Sequence, residues 1–231
     1  MSLLAPYVTG GITPNWTDYL LAARDAGADM IEIGLPFSDP TLDGPTIQEA
    51  SDRALARGAT VDSILADIPD LGVPLYAMTY ANLALRKGFC ASLRDAGITG
   101  LIVPDVPLEE LAAFDGYDID VVLLASPSTR RDKRREIAKR SSGFVYAVSL
   151  MGTTGEQEAL ADAQELVADL KEATDLPVML GFGISGPEQA AAACRYADGV
   201  VVGSAIMRRI LDGATPKEVG AYLTTLRTAL N

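Results

Sequence analysis

A chain of 231 residues with a net charge of −12 has no general electrostatic affinity for nucleic acid or for an anionic membrane surface. Its hydrophobic content of 48% and charged content of 22% exclude a disordered chain and allow one large core. Histidine is absent, so imidazole drops out of every catalytic and metal-binding scheme, and carboxylates, hydroxyls and backbone amides must carry any chemistry.

The opening residues, Met-Ser-Leu-Leu-Ala, lack a basic n-region and a long apolar h-region, and no run of about 18 apolar residues follows. Secretion and membrane spanning are therefore not expected, and a cytoplasmic location is. Cys90 and Cys194 lie far apart in helix-like contexts, which supports neither a disulfide framework nor a zinc motif.

In chain order, Pro6 to Thr9 reads as a strand and Trp16 to Ala26 as a helix. The second strand, Met30 to Ile33, is β-branched and apolar except for Glu32, which alternation sends to the face opposite Ile31 and Ile33. An unpaired charge there is costly, so this carboxyl must find a partner or have its pKa raised. The following turn, stiffened by Pro36, Pro40, Gly44 and Pro45, adds Asp39 and Asp43. A helix over Thr46 to Arg57 and an excursion at Ala59 to Asp70, read as an extra short helix on the loop side, lead to the third strand, Pro74 to Thr79. Tyr80 and Asn82 follow it, then a helix from Leu83 to Ala96 and a fourth strand, Gly100 to Pro104, ending at Asp105.

A helix at Leu108 to Phe114 and a strand at Asp120 to Ala125 come next. The polar segment Arg130 to Arg140 has no interleaved aromatics, so it reads as a solvated helix face rather than a nucleic-acid patch. The sixth strand, Phe144 to Ser149, carries Tyr146 and runs into Gly152-Thr-Thr-Gly155, long enough with the polar residues after it to close over a mouth as a lid. A helix from Glu156 to Ala173 and a strand from Pro177 to Gly181 precede Gly181-Phe-Gly-Ile-Ser-Gly186, which opens a helix ending at Cys194. The last strand, Gly199 to Val202, is followed by Gly203-Ser-Ala-Ile206, which opens a helix, and by a final helix from Pro216 to Leu230.

Eight strand-like runs alternating with helices predict a single-domain (β/α)8 TIM barrel. An open doubly wound sheet is the alternative, but no Gly-x-Gly-x-x-Gly turn follows the first strand. Barrel active sites gather at the C-terminal strand ends, and glycine turns after strands seven and eight are where phosphate binds, on free backbone N–H groups and a helix dipole. Gly183, Gly203 and Ser204 occupy those positions. Other readings stand beside these. Glu32 could be a structural acid paired with an arginine, Asp39 and Asp43 turn residues, Gly183 and Gly203 plain tight turns, and Tyr80 and Tyr146 packing residues. A magnesium site from Glu32, Asp39, Asp43 and Asp105 is also conceivable. No lysine falls at a strand end, which disfavours a Schiff-base aldolase.

The stretch Glu32-Ile-Gly-Leu-Pro-Phe-Ser-Asp-Pro-Thr-Leu-Asp-Gly-Pro-Thr-Ile-Gln48 resembles the signature of the tryptophan synthase alpha subunit family. Tyr80-Ala-Asn82, Pro104-Asp-Val-Pro107, Gly152-Thr-Thr-Gly155, Gly181-Phe-Gly-Ile-Ser185 and Gly203-Ser-Ala-Ile206 match the family in order, so the resemblance covers nearly the whole chain. It implies retro-aldol cleavage of indole-3-glycerol phosphate to indole and glyceraldehyde 3-phosphate, with neither metal nor organic cofactor.

By that resemblance Glu32 is the acid–base group and Asp43 the carboxylate at the indole nitrogen. Gly183, Gly203 and Ser204 hold the phosphate, and Tyr80 and Tyr146 wall the indole. Thr154 and Gly155 belong to the lid, with Thr154 meeting the Asp43 loop. The resemblance also implies docking to a pyridoxal-phosphate beta subunit in an alpha2beta2 assembly, with Asp39 and Asn82 at the mouth facing that partner. Two departures from the family pattern are a first strand that begins almost at the N-terminus, leaving the barrel bottom less covered, and Leu150-Met151 before the lid glycine. A regulatory phosphate-binding subunit with little activity of its own, or another phosphate-sugar barrel enzyme, are the alternative functions.

Overall fold

The structure, a computed structural model, describes residues 1–148, 156–181 and 183–231. Its elements run β1 (Leu3–Thr9), α1 (Trp16–Asp25), β2 (Ile31–Gly34), α2 (Pro45–Ala56), α3 (Val61–Asp67), β3 (Leu75–Met78), α4 (Ala81–Ala84), α5 (Phe89–Asp95) and β4 (Gly100–Ile102). After a 3-10 helix (Leu108–Phe114) come β5 (Asp120–Val122), β6 (Leu124–Ala125), α6 (Arg131–Arg140), β7 (Val145–Val148) and α7 (Glu156–Lys171). The chain ends with β8 (Val178–Gly181), α8 (Pro187–Ala193), β9 (Gly199–Val202), α9 (Ser204–Leu211) and α10 (Pro216–Ala229).

Every strand pairing is parallel, in the order β5-β4-β3-β2-β1-β9-β8-β7-β6. The two ends of that order, β5 and β6, are halves of one run interrupted at Leu123, and the Leu123 carbonyl accepts from the Tyr146 N–H at 3.1 Å. The sheet therefore closes on itself as the expected (β/α)8 barrel, with the fifth run shared between its neighbours.

Period-two alternation divides the apolar residues into two layers. Ala5, Tyr76, Ile102, Val122, Phe144, Met179 and their neighbours fill the barrel interior, whereas Leu4, Val8, Ile31, Ile33, Leu101 and Val200 pack outward under the helices. Glu32 alternates with Ile31 and Ile33, and it is aligned with Tyr7 on one side and Tyr76 on the other.

Local chemistry sets the helix ends. Thr60 with Ser63 and Thr215 with Glu218 form capping boxes, and Pro45, Pro187 and Pro216 stand in first turns, where a missing N–H costs nothing. The excursion at 59–70 contains α3, whose Ile64 packs on Gly10 just beyond the C-terminal end of β1. Two expected helices differ. The run from Leu83 to Ala96 is divided between α4 and α5, because Gly88 takes φ +86° and breaks the helix there. The segment Leu108 to Phe114 is 3-10 rather than α.

Candidate active site

Glu32 sits near the middle of β2, only 3% exposed, on the wall of a cavity of about 210 Å³ at the C-terminal end of the barrel. Buried Arg134 pairs with Asp169 and half-buried Arg227 with Asp29, so among the described residues the alternative reading of Glu32 as a structural acid finds no arginine to pair with it. Burial, and then the negative charge of Asp43, push the Glu32 carboxyl up to about 8. Near neutral pH this group holds its proton.

Asp43 reaches the same cavity from the loop between β2 and α2. That loop is fastened along its length. Phe37 stacks on Tyr80 at 4.9 Å, the Leu42 N–H donates to the Tyr80 hydroxyl at 3.2 Å, and Gln48 donates to the Asp43 carbonyl at 2.8 Å. The Tyr80 hydroxyl in turn donates to the Asp43 carboxylate at 2.8 Å. Burial pushes the Asp43 carboxyl up, and the Tyr80 bond pulls it back down. One carboxyl is thus neutral and without a partner among the described residues, and the other is hydrogen-bonded as an acceptor.

Across the cavity stand Tyr146, Gly183, Gly203 and Ser204. Gly183 has φ +79°, a left-handed conformation that glycine adopts without penalty, and Gly203 caps α9 with Ser204 as its first residue. Neither lysine nor arginine lines the cavity, so an anion here would be met by backbone N–H groups, the Ser204 hydroxyl and the α9 dipole. Two strand glycines give the cavity its shape. A Cβ on Gly34 would lie 1.9 Å from the Tyr7 hydroxyl, and one on Gly181 would lie 2.3 Å from the Tyr146 ring, so both tyrosines pack directly against bare backbone.

Of the expected residues, Glu32, Asp43, Tyr146, Gly183, Gly203 and Ser204 meet in one cavity, and Tyr80 joins through its bond to Asp43. Asp39 and Asn82 are exposed. Thr154 and Gly155 lie outside the described residues. The four carboxylates suggested for magnesium do not converge. Asp105 accepts the Ala81 N–H at 2.7 Å, and no group of three or more potential ligands assembles among the described residues. Sequence reasoning missed Tyr7, Ile47, Met78 and Ile184. Alternation along β1 could have placed Tyr7 inside, since Leu3, Ala5 and Tyr7 share a face.

A family model described as tryptophan synthase alpha chain matches residues 2–228. The chain belongs to the tryptophan synthase alpha chain family. It is 42% identical to the tryptophan synthase alpha chain of Prochlorococcus marinus (strain MIT 9313), over 98% of this chain and 89% of that one. With the alpha chain of Arabidopsis thaliana it shares 38% identity, covering 98% and 90%. Among solved structures, the tryptophan synthase of M. tuberculosis in its aminoacrylate-bound form superposes with a TM-score of 0.89 at 34% identity, over 100% of this chain and 94% of that one. A mutant tryptophan synthase alpha-subunit from Pyrococcus furiosus gives 0.87 at 33%, over 99% and 100%. Tryptophan synthase alpha chains are lyases that split indole-3-glycerol phosphate into indole and glyceraldehyde 3-phosphate during tryptophan biosynthesis.

Proposed function

We propose that this chain performs that cleavage with Glu32 as the acid–base group and Asp43 as the carboxylate that answers the charge on the indole ring. The observation that carries the assignment is the contrast between the two carboxyls in one cavity. Glu32 is buried, unpaired among the described residues and pushed up to about 8, whereas Asp43 is held as an acceptor by Tyr80. Environments that separate two titrating groups in this way suit one to proton transfer and the other to electrostatic stabilisation.

In the first step protonated Glu32 gives its proton to indole C3, and positive charge develops at the ring nitrogen. The Asp43 carboxylate accepts a hydrogen bond from the ring N–H and stabilises the charged state more than the neutral ground state. Glu32, now ionised, removes the proton from the glycerol hydroxyl next to the ring. The carbon–carbon bond breaks as the aldehyde forms, and its electron pair returns to the ring and neutralises the nitrogen. Indole and glyceraldehyde 3-phosphate result, with Glu32 protonated again. Gly183, Gly203 and Ser204 hold the phosphate, and Tyr146 and Tyr80 wall the ring. Thr154 and Gly155 take the lid positions implied by resemblance.

The 231 residues act as one barrel domain in the cytoplasm, where the indole passes to a tryptophan synthase beta subunit docked over the mouth in an alpha2beta2 assembly. Exposed Asp39 and Asn82 support that placement of the partner. No described helix is long and apolar enough to cross a membrane. The direct test is release of indole from indole-3-glycerol phosphate by the purified chain, with Glu32→Gln and Asp43→Asn as controls. Full activity in the Glu32→Gln variant sinks the assignment.

A further inference from the structure

Next to the main cavity, sharing Tyr7, Asp43 and Met78 with it, lies a second recess of about 10 Å³, the room of one water molecule. Its polar lining comes from Tyr7 of β1, Asp43, Ser51 of α2, Thr79 at the end of β3, and Tyr80. Thr79 is 2% exposed, and its hydroxyl has no hydrogen-bond partner among the described residues. Native folds rarely leave a buried hydroxyl so without a water to match it.

The donors and acceptors around the recess are unevenly used. The Tyr7 hydroxyl accepts from Thr9 at 3.1 Å, which leaves its own proton to donate. The Tyr80 hydroxyl is fully engaged, accepting from the Leu42 N–H and donating to Asp43 Oδ2. Among the described residues Asp43 therefore has one protein donor, on one oxygen, and acceptor capacity to spare. A phenol with a proton to give, an unpartnered hydroxyl and an under-used carboxylate surround a space sized for a molecule with two protons and two lone pairs.

We propose that Tyr7, Thr79 and Ser51 hold one structural water in this recess and that the water donates a second hydrogen bond to the Asp43 carboxylate, making Thr79 a positioning residue. The water accepts a hydrogen bond from the Tyr7 hydroxyl and pairs with Thr79, so no polar group in the recess is left unmatched. The consequence for catalysis rests on the role proposed above for Asp43, but the site itself does not. With two donors behind it, the carboxylate stays ionised and aimed into the main cavity, where the ring nitrogen would lie.

Among the described residues the ionisable groups that face Asp43 are Tyr7, Glu32, Tyr80 and Tyr146, none of them cationic. On α2, Glu49 is paired with Arg53 of the same helix and with Arg208 of α9. A shift in Asp43 on altering Thr79 therefore reports the recess.

The test is a high-resolution crystal structure of the full chain together with a carbon-13 carboxyl titration of Asp43 by NMR. Expected are a density peak within roughly 2.6–3.2 Å of Thr79 Oγ1, Tyr7 Oη and the Asp43 carboxylate, and its loss in Thr79→Val. Asp43 should titrate at higher pH in Thr79→Val than in the unaltered chain, with Thr79→Ser restoring the original value. An unaltered chain with no such peak overturns the proposal, and so does an Asp43 titration unmoved by Thr79→Val. Because the titration needs no turnover, it is decided separately from the Asp43→Asn assay that tests the catalytic role.

Discussion

The Tyr80 hydroxyl donates to the Asp43 carboxylate at 2.8 Å across 37 residues of chain, joining the end of β3 to the loop after β2. Removing that donor in Tyr80→Phe takes away the contact that lowers the Asp43 carboxyl, leaving burial to raise it. The acidic limb of the kcat/KM profile should move to higher pH. A charge-assisted bond worth about 1.5–3 kcal/mol corresponds to a loss of roughly 10- to 100-fold in kcat/KM near neutrality. Indole release measured from pH 5 to pH 9 checks both outcomes. An unshifted acidic limb would detach Tyr80 from Asp43.

Glu32 must enter the first step protonated, and burial pushes its carboxyl up to about 8. Activity should therefore decline above about that pH, giving the basic limb of a bell-shaped profile. Glu32→Gln keeps the shape and removes the proton, so kcat should fall by roughly 10²- to 10⁴-fold with KM little changed. Steady-state kinetics with purified variants separate this from a binding defect, which would raise KM instead.

The same carboxyl makes stability depend on pH. Folding raises its pKa from 4.5 to about 8, so between those values the folded chain binds more protons at this site than the unfolded chain does. The cost of burying Glu32 is absent below the lower value and grows as pH rises towards the upper one. Glu32→Gln should melt close to the unaltered chain at pH 4 and above it at pH 9, by roughly 2–4 °C for each kcal/mol of burial cost removed. Calorimetry at the two pH values reads the difference. An equal Tm difference at both would argue against an ionising Glu32 in the fold.

Gly183 sits at φ +79° on the cavity wall beside Gly203 and Ser204. An alanine there costs about 1–2 kcal/mol of backbone strain and turns the N–H groups of the cradle away from an anion. Gly183→Ala should raise KM for the phosphate substrate and weaken competition by inorganic phosphate at least roughly tenfold, while leaving the Glu32 limb of the pH profile in place. Retained phosphate competition would relocate the anion site.

The barrel was legible in the sequence because apolar runs and helical patterns alternate from end to end, and the closing strand fails to look like one run only at Leu123, where it changes partners. Glu32 stood out because a carboxylate inside a β-branched strand needs a reason. Tyr7 did not, because a tyrosine in an apolar strand reads as packing until the register aligns it with Glu32. Gly88 carried a signal for the break between α4 and α5 that apolar spacing across it concealed. The pairing of Tyr80 with Asp43 depends on how a loop folds back onto a neighbouring strand, which no local pattern encodes.

The basic helix shows the same dependence on tertiary context, and it leads to a stability prediction. Read alone, 130–140 is a solvated face, yet Arg131 and Arg134 of α6 converge on Asp169 of α7, which is 1% exposed. Arg134 also donates to the carbonyls of Pro127 and Thr129, so one buried guanidinium holds the β6–α6 turn and the neighbouring helix together. Burial pushes the Asp169 carboxyl up, but the two guanidinium partners outweigh it and hold it below the usual carboxylate range. Its stabilising contribution is therefore present at neutral pH and lost as pH falls through its folded pKa. Asp169→Ala would leave Arg134 buried beside a void, with only the exposed Glu165 carboxylate, 3.7 Å away, as an acidic neighbour among the described residues. Breaking a fully buried pair costs about 3–5 kcal/mol, and the exposure of Arg131 brings the expected loss here to about 2 kcal/mol, or roughly 4–8 °C in Tm. Replacing Arg134 and Asp169 together with Met and Leu should recover much of that loss, because the penalty comes from the orphaned charge rather than from the missing attraction. Thermal melts of the single and double variants decide it, and a double variant no more stable than Asp169→Ala would show that the turn contacts of Arg134, not its charge, hold the two helices.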